Sequence, residues 1–230
     1  MVKDQEMNSD ALLEFLRTID TPTVANAIEL LKLRSRAEGF PSVQLRCLFP
    51  ELGVMCGYAV TAQVETVTSA NPLLESAFID LFAAVEESAK PAVVVMQDIG
   101  GDRERAAHSG EIMCTIFSTL GAIGLVSDCA VRDLAAVRNL RFHYFARGSV
   151  SSHAHFRIVR SNVPVEIHGM TVCPGDLLHG DENGIVAIPK KNRELLPDAV
   201  RQMLDKEKAL LDFVRQPGFT SSALRNRLLH

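Results

Sequence analysis

Residues 91–96, Pro-Ala-Val-Val-Val-Met, form an unbroken apolar run. A strand with one wet face alternates in polarity, so a continuous run rich in β-branched valine reads as a strand covered on both faces. That condition belongs to the interior of a parallel sheet, which needs a packed layer on each side. The run stops at Gln97-Asp98-Ile99-Gly100-Gly101-Asp102, a turn rich in glycine and acid. A second short run, Gly124 to Ser127, ends the same way at Asp128. Helical patterns at 108–120 and 133–140 alternate with these strands, and another strand is expected at 143–146. Strand, helix, strand, helix through 91–140 predicts an α/β domain with a largely parallel sheet.

The remaining segments can be placed around that sheet. Ser9-Asp10 is a helix start, with an apolar face from Ala11 to Ile19, and Asp20-Thr21-Pro22 opens a second helix through Leu31. Residues 36–57 mix Gly, Pro and apolar residues without period and read as irregular. A strand is expected over Tyr58 to Thr68 and a helix from Asn71-Pro72 to about Ser88. Between 150 and 190, short β runs (VPVEIHG, TVCPGDLLHG, GIVAIP) are split by turn residues. A helix over 192–214 follows, with Leu195, Val200, Met203, Leu204, Leu210, Leu211 and Val214 on one face. With no linker in view, residues 1–230 read as one domain, with 1–8 and 217–230 as terminal arms.

Composition excludes more than it selects. A net charge of −4 gives no basic surplus for nucleic acid, and no apolar run approaches the roughly 18 residues that cross a bilayer. The N-terminus, Met1-Val-Lys-Asp-Gln-Glu, has no apolar signal core. The five cysteines are widely spaced and form no CxxC pair, which reads as reduced thiols in a cytoplasmic protein.

The chemistry concentrates between 98 and 133. Gly110 precedes a helix whose first amides are unpaired donors, a natural seat for a carboxylate or phosphate. Glu111 in that first turn also suits the helix dipole and nothing more. Arg132-Asp133 follows the second strand, where ligands gather at the carboxyl ends of α/β strands. Arg offers a planar fork to a carboxylate and Asp offers oxygen to a hard cation, although an isolated Arg-Asp pair is more often a surface ion pair.

The run AAHSGEIMCTIFSTLGAIGLVSDCAVRD resembles the core of the family that holds 4-hydroxy-4-methyl-2-oxoglutarate aldolases, class II pyruvate aldolases and their ribonuclease-regulator relatives. That family's aldolases carry an Asp or Glu, twenty residues, then Arg-Asp; Glu111, residues 112–131 and Arg132-Asp133 fit. DTPTVANAIE at 20–29 and PGDLLHGDENGIVAIP at 174–189 resemble its early helix and late β segment. The resemblance implies a β/β/α swivelling-type sandwich and a metal-dependent lyase. Such an enzyme cleaves 4-hydroxy-2-oxo acids to pyruvate through a metal-stabilised enolate and also decarboxylates oxaloacetate.

In that implied site Asp133 holds Mg²⁺ or Mn²⁺, Glu111 contacts the metal's waters, Arg132 binds the pyruvyl unit, and amides near Gly110, Ile112 and Met113 take its carboxylate. The rival Schiff-base route needs a lysine, and none lies between Pro91 and Phe145. The resemblance also implies a homotrimer or hexamer, with an acidic residue, Glu207 here, entering a neighbour's site. The alternative is a non-catalytic regulator that binds an RNA-degrading endonuclease. A methyltransferase is disfavoured because no glycine-rich nucleotide loop is evident. One position departs from the pattern: Cys129 stands where relatives have Gly and is expected to narrow the site.

Other features have plainer readings. His153-Ala-His155 could put two imidazoles on one strand face but lacks a third ligand. His108 is a possible proton shuttle in the helix mouth. Asp176, Asp181 and Glu182 suit turns. Gly100-Gly101-Asp102 is expected to line the pocket.

Overall fold

The computed structural model describes residues 9–66 and 75–229. In chain order these form α1 (Ser9–Leu16), α2 (Thr21–Leu30), β1 (Arg46–Cys47), β2 (Met55–Thr66), α3 (Glu75–Glu87), β3 (Ala92–Asp98), α4 (Glu111–Thr119), β4 (Ala122–Ser127), α5 (Leu134–Asn139) and β5 (His143–Ala146). There follow β6 (Phe156–Ser161), β7 (Val165–Ile167), β8 (Met170–Val172), β9 (Leu177–Asp181), β10 (Gly184–Ile188), α6 (Leu196–Val214) and α7 (Ser221–Leu229). The expected Asn71-Pro72 helix start and the arm at 1–8 lie outside the described residues.

The main sheet runs β1-β5-β4-β3-β2-β9-β10, and β6 also pairs with β2. Strands β2 to β5 are parallel, with Val94 opposite Val60 and Leu125. The flanks are antiparallel: β1 on β5, β9 and β6 on β2, β10 on β9. The result is a mixed α/β sandwich whose parallel centre sits where the apolar runs placed it.

Both faces of β3 are covered, which is why its sequence does not alternate. Val94 and Met96 pack with Leu81, Val85, Cys114 and Phe117 beneath α3 and α4. Val93 and Val95 face the other way, against Phe145 and the β7–β8 hairpin through Val165, Ile167 and Met170. A third cluster joins α1, α2 and the start of α6 to β9 and β10. Asp20 caps α2, its carboxylate accepting from the Thr23 amide at 2.8 Å and hydroxyl at 3.0 Å. Asp181 accepts from the Thr21 amide at 2.7 Å, and His179 meets Thr21 Oγ1 at 3.0 Å and the Leu16 carbonyl at 2.9 Å. The late acidic turn thus fastens the N-terminal helices to the sheet.

Several expectations need adjustment. The irregular stretch 36–57 contains β1 and the first residues of β2. Helix α4 begins at Glu111, because His108 and Ser109 run extended beside residues 130–132: the His108 amide donates to Ala130 O at 3.1 Å, and the Arg132 amide to Ser109 O at 3.0 Å. Only the first turns of α6 are buried, at Leu196, Ala199 and Val200, whereas Leu204, Leu210, Leu211 and Val214 are exposed. The expected C-terminal arm contains α7, whose Arg227 stacks on Phe213 at 4.7 Å. No described helix is long and apolar enough to cross a membrane.

Candidate active site

Strands β3 and β4 end side by side, at Asp98 and Ser127-Asp128. Beyond β4 the chain stays extended and is gripped from both sides: Ala130 bridges Ala107, and Val131 bridges Ser149. This grip presses Gly110, the N-cap of α4, against Arg132-Asp133.

A Cβ at Gly110 would lie 2.3 Å from Asp133 Oδ2 and 2.9 Å from Arg132 Nε, so both side chains would have to shift to admit one. The backbone of Gly110 is extended, so it is the closeness of these two side chains, and not its φ, that favours glycine here. Asp133 sits in the left-handed region at φ 59°, ψ 39°, which Asp adopts more readily than most residues. Its place before α5 is that of an N-cap, yet its carboxylate makes no cap bond to that helix. Oδ2 instead accepts from the Glu111 amide of α4 at 3.0 Å and lies 3.5 Å from Arg132 Nε. The Cys114 amide returns to Gly110 O, which leaves the Ile112 and Met113 amides as first-turn donors of α4.

Of these groups Gly110, Ile112, Met113 and Arg132 line a cavity of about 270 Å³, and Asp133 lies beside it against Gly110 and Arg132. Phe78, Ala107, Ile112, Met113, Ala154 and Phe156 form most of its wall, with Arg132 at one side and His108 and Ser109 at the base. Ile112 is 75% exposed, while the Arg132 and Asp133 side chains keep 36% and 40% of their surface in solvent. Charge, open carboxylate and unpaired amides therefore meet at an accessible mouth.

Under that mouth lies a second, closed cluster. Asp98 is fully buried; Oδ1 accepts from the Thr66 amide at 3.1 Å and the Gly100 amide at 2.6 Å, and Oδ2 from the Thr66 hydroxyl at 2.5 Å. Burial alone would push its carboxyl up, but these hydrogen bonds and neighbouring His108 hold it below the usual range. Asp128 takes the Asp98 amide at 2.7 Å and faces Arg103 Nε at 3.3 Å; burial drives its carboxyl up to about 7. His108 Nδ1 meets Ser127 Oγ at 3.0 Å, Nε2 has no partner among the described residues, and burial lowers its ring to about 4. Cys129 Sγ points at Asp98 Oδ2, 3.6 Å away, and burial pushes its thiol well up.

Two places thus carry metal-ligating chemistry. Ligand atoms of Asp98, His108 and Cys129 lie within 4.8 Å of one another, a spacing compatible with a cation. The Asp98 oxygens there are already taken by protein donors, and the sulfur is held as a thiol. The mouth offers the part-exposed Asp133 carboxylate, with Glu111 exposed on the adjoining first turn of α4. That donor set fits a small hard cation, which is held through one or two carboxylates with water and substrate completing the shell.

Several expectations shift. Glu111, Arg132 and Asp133 come together, as do Gly110, Ile112 and Met113. Glu207 lies half-buried on α6, which rests on α1 and α2, and it does not line the cavity of its own chain. Cys129 does not narrow the cavity but packs beneath it against Asp98. His153 and His155 are exposed loop residues at the cavity's edge, before β6 rather than on a strand. Gly101 and Asp102 line a separate depression with Arg103, Arg105 and Arg147. Asp176 closes a turn by accepting the Cys173 amide at 2.8 Å. All five cysteines are free. Sequence reasoning missed Phe78 and Phe156, which come to the cavity from α3 and β6 with no local motif to mark them.

The chain belongs to the RraA-like family: the family profile, described as Aldolase/RraA, matches residues 21–187. A Halalkalibacterium halodurans protein named "Putative 4-hydroxy-4-methyl-2-oxoglutarate aldolase" is 36% identical over 131 residues, which cover 55% of this chain and 62% of that protein. An uncharacterised Methanocaldococcus jannaschii protein is 28% identical over 123 residues, covering 53% of this chain and 59% of its own length. The chain spans less than two thirds of the length of these curated relatives. Among solved structures, an uncharacterised Pseudomonas syringae protein aligns over 96% of this chain and 95% of its own, at TM-score 0.74 and 22% identity. Streptomyces coelicolor RraAS2, described as an unusual member of the RNase ES inhibitor RraA protein family, aligns over 93% of this chain and 99% of its own, at TM-score 0.67 and 23% identity. At such identities the likeness is one of fold.

Proposed function

We propose that this chain is a divalent-metal-dependent carbon–carbon lyase that cleaves 4-hydroxy-2-oxo acids to pyruvate and decarboxylates oxaloacetate. The observation that carries the reading is the close contact of Gly110 with Arg132 and Asp133, which sets the Arg132 fork and the Ile112 and Met113 amides on one cavity, with the Asp133 carboxylate against Gly110 and Arg132 beside it. The aldolase name borne by the H. halodurans relative supports it.

Arg132 binds the pyruvyl unit through its planar guanidinium, and the Ile112 and Met113 amides receive the carboxylate at the positive end of α4. Asp133, helped by Glu111 through water, holds Mg²⁺ or Mn²⁺. When bound, that cation supplies Lewis-acid stabilisation to the charge that develops on the 2-oxo oxygen. In retro-aldol cleavage the C3–C4 bond breaks, its electron pair stays with C3, the 4-hydroxyl proton leaves, and C4 becomes a carbonyl. C3 then takes a proton to give pyruvate. Glu111, exposed at the mouth, accepts the hydroxyl proton through water.

The apolar stripe on α6, with Leu204, Leu210, Leu211 and Val214 exposed, supports assembly as a homotrimer or hexamer in which Glu207 approaches a neighbouring site. Light scattering after size exclusion tests the assembly, and a monomer overturns it. The lyase reading is tested by pyruvate release from oxaloacetate and from 4-hydroxy-2-oxo acids with Mg²⁺, and its loss in EDTA. Absence of metal-dependent turnover on all of them overturns it. Inhibition of an RNA-degrading endonuclease by such an inactive chain would favour the regulator.

A further inference from the structure

We infer that the preferred substrate carries an apolar aliphatic or aromatic group at C4 rather than a second carboxylate, because the cavity beside Arg132 is walled by Phe78, Ile112, Met113 and Phe156. This rests on the lyase reading of the mouth and concerns the part of the substrate that the Arg-Asp pair does not touch.

The pyruvyl end has its partners: the Arg132 fork and the two free amides of α4. The cavity extends from there past two aromatic rings, a methionine and an isoleucine. Its volume of about 270 Å³ exceeds what the six heavy atoms of pyruvate fill, even if each takes the ~30 Å³ share of a water molecule. That leaves room beside the pyruvyl unit for the rest of the substrate. A distal carboxylate entering that space would lose water and require a replacement donor.

The polar residues present supply no second cation for it. Among the described lining residues Arg132 is the only arginine, and there is no lysine. Ser109 Oγ is engaged with Cys114 Sγ at 3.2 Å. His108 is held neutral by burial, with Nδ1 on Ser127 Oγ, so its unpartnered Nε2 offers at most one uncharged donor, which does not offset the desolvation of a carboxylate. His153 and His155 stand in solvent at the edge, and His153 Nδ1 is turned to the Ala154 carbonyl at 2.5 Å. An alkyl or phenyl group asks for no hydrogen bond and gains from the same walls. Cleavage of such a substrate, R–CH(OH)–CH2–CO–COO⁻, yields R–CHO and pyruvate with no other reactant. Oxaloacetate remains a companion substrate because its distal carboxylate leaves as carbon dioxide.

Two ligands with the same 2-oxo acid end and the same two-carbon linker isolate the distal group: 2-oxo-4-phenylbutanoate and 2-oxoglutarate. Calorimetric titration with Mg²⁺ is run at pH 8, where an ordinary imidazole is neutral. The phenyl compound is expected to bind at least tenfold tighter. Equal affinity, tighter binding of 2-oxoglutarate, or no measurable binding of either overturns the inference. Ile112→Lys, at an exposed position, is expected to erase or reverse the preference while keeping the backbone amide; an unchanged preference overturns the assignment of the cavity. In turnover, 4-hydroxy-2-oxo-4-phenylbutanoate is expected to exceed 4-hydroxy-4-methyl-2-oxoglutarate at least tenfold in kcat/KM, and the opposite order overturns the inference. If neither compound nor oxaloacetate releases pyruvate while the phenyl ligand still binds tighter, the lyase reading falls and the apolar recognition stands.

Discussion

Two acid-rich clusters lie within a few residues of each other at the ends of β3 and β4, and they are built on opposite rules. In the lower cluster Asp98 is saturated by three backbone and hydroxyl donors, and no part of it reaches water. At the upper mouth Asp133 accepts one amide, leans on Arg132 and keeps 40% of its side-chain surface open. The lower carboxylate is committed to holding the chain's exit from the sheet. The upper one retains capacity for a ligand. A perturbed carboxyl is therefore a poor guide here: Asp98 and Asp128, both shifted, belong to the closed cluster, where no substrate is placed.

The largest expected effect separates the two directly. Asp133→Ala should lower kcat/KM for pyruvate release at least a thousandfold, on the order of 4 kcal/mol, with the thermal midpoint retained. Loss of the midpoint together with activity would erase the distinction. Arg132→Lys should lose at least tenfold, since a point charge cannot replace the fork. Asp98→Ala should do the converse and destabilise by about 3 kcal/mol in denaturant titration, because it strands buried donors.

A smaller effect lies in pH. Asp128 has a folded value of about 7, above that of an ordinary carboxyl, so its contribution to stability is full below pH 4 and is lost as pH rises to 7. His108 has a folded value of about 4, below an ordinary imidazole, so its contribution is full above pH 6.5 and is lost as pH falls to 4. The two oppose each other across one window and flatten the wild-type profile. Asp128→Asn should unmask the histidine, and its stability relative to wild type should rise by on the order of 2 kcal/mol between pH 5 and 8. A constant difference across that range would mean that Asp128 ionises normally. Smallest is Gly110→Ala, expected to cost about tenfold in turnover, roughly 1.4 kcal/mol, as Arg132 and Asp133 shift from the added Cβ. Retained activity would show that the mouth tolerates that displacement.

What the sequence disclosed followed from how local each signal is. The parallel centre was legible because residues 91–96 carry their burial in consecutive positions, and α2 because Asp20 and Pro22 mark its start. The grouping of Glu111 with Arg132 and Asp133 was legible from spacing and resemblance. The extended segment at 108–109 was not, because its partners at 130–132 are remote and it has no period of its own. Nor did the α6 pattern reveal that its apolar stripe is buried only at Leu196, Ala199 and Val200. The direction of the Cys129 side chain depends on Asp98, which comes from a different strand.

Strand β2 has a consequence for how this chain can be cut or assembled. One edge pairs with β3; the other pairs first with β9 at Met55–Tyr58 and then with β6 at Ala62–Thr66. Both partners on that second edge are drawn from beyond residue 155, so they close only after long stretches of intervening chain have been ordered. A nascent chain halted before β6 exposes this edge along its whole length, as does an amino-terminal fragment split near residue 150. Such an edge is a template for pairing between molecules. Soluble expression of the two halves should therefore require that they be made together.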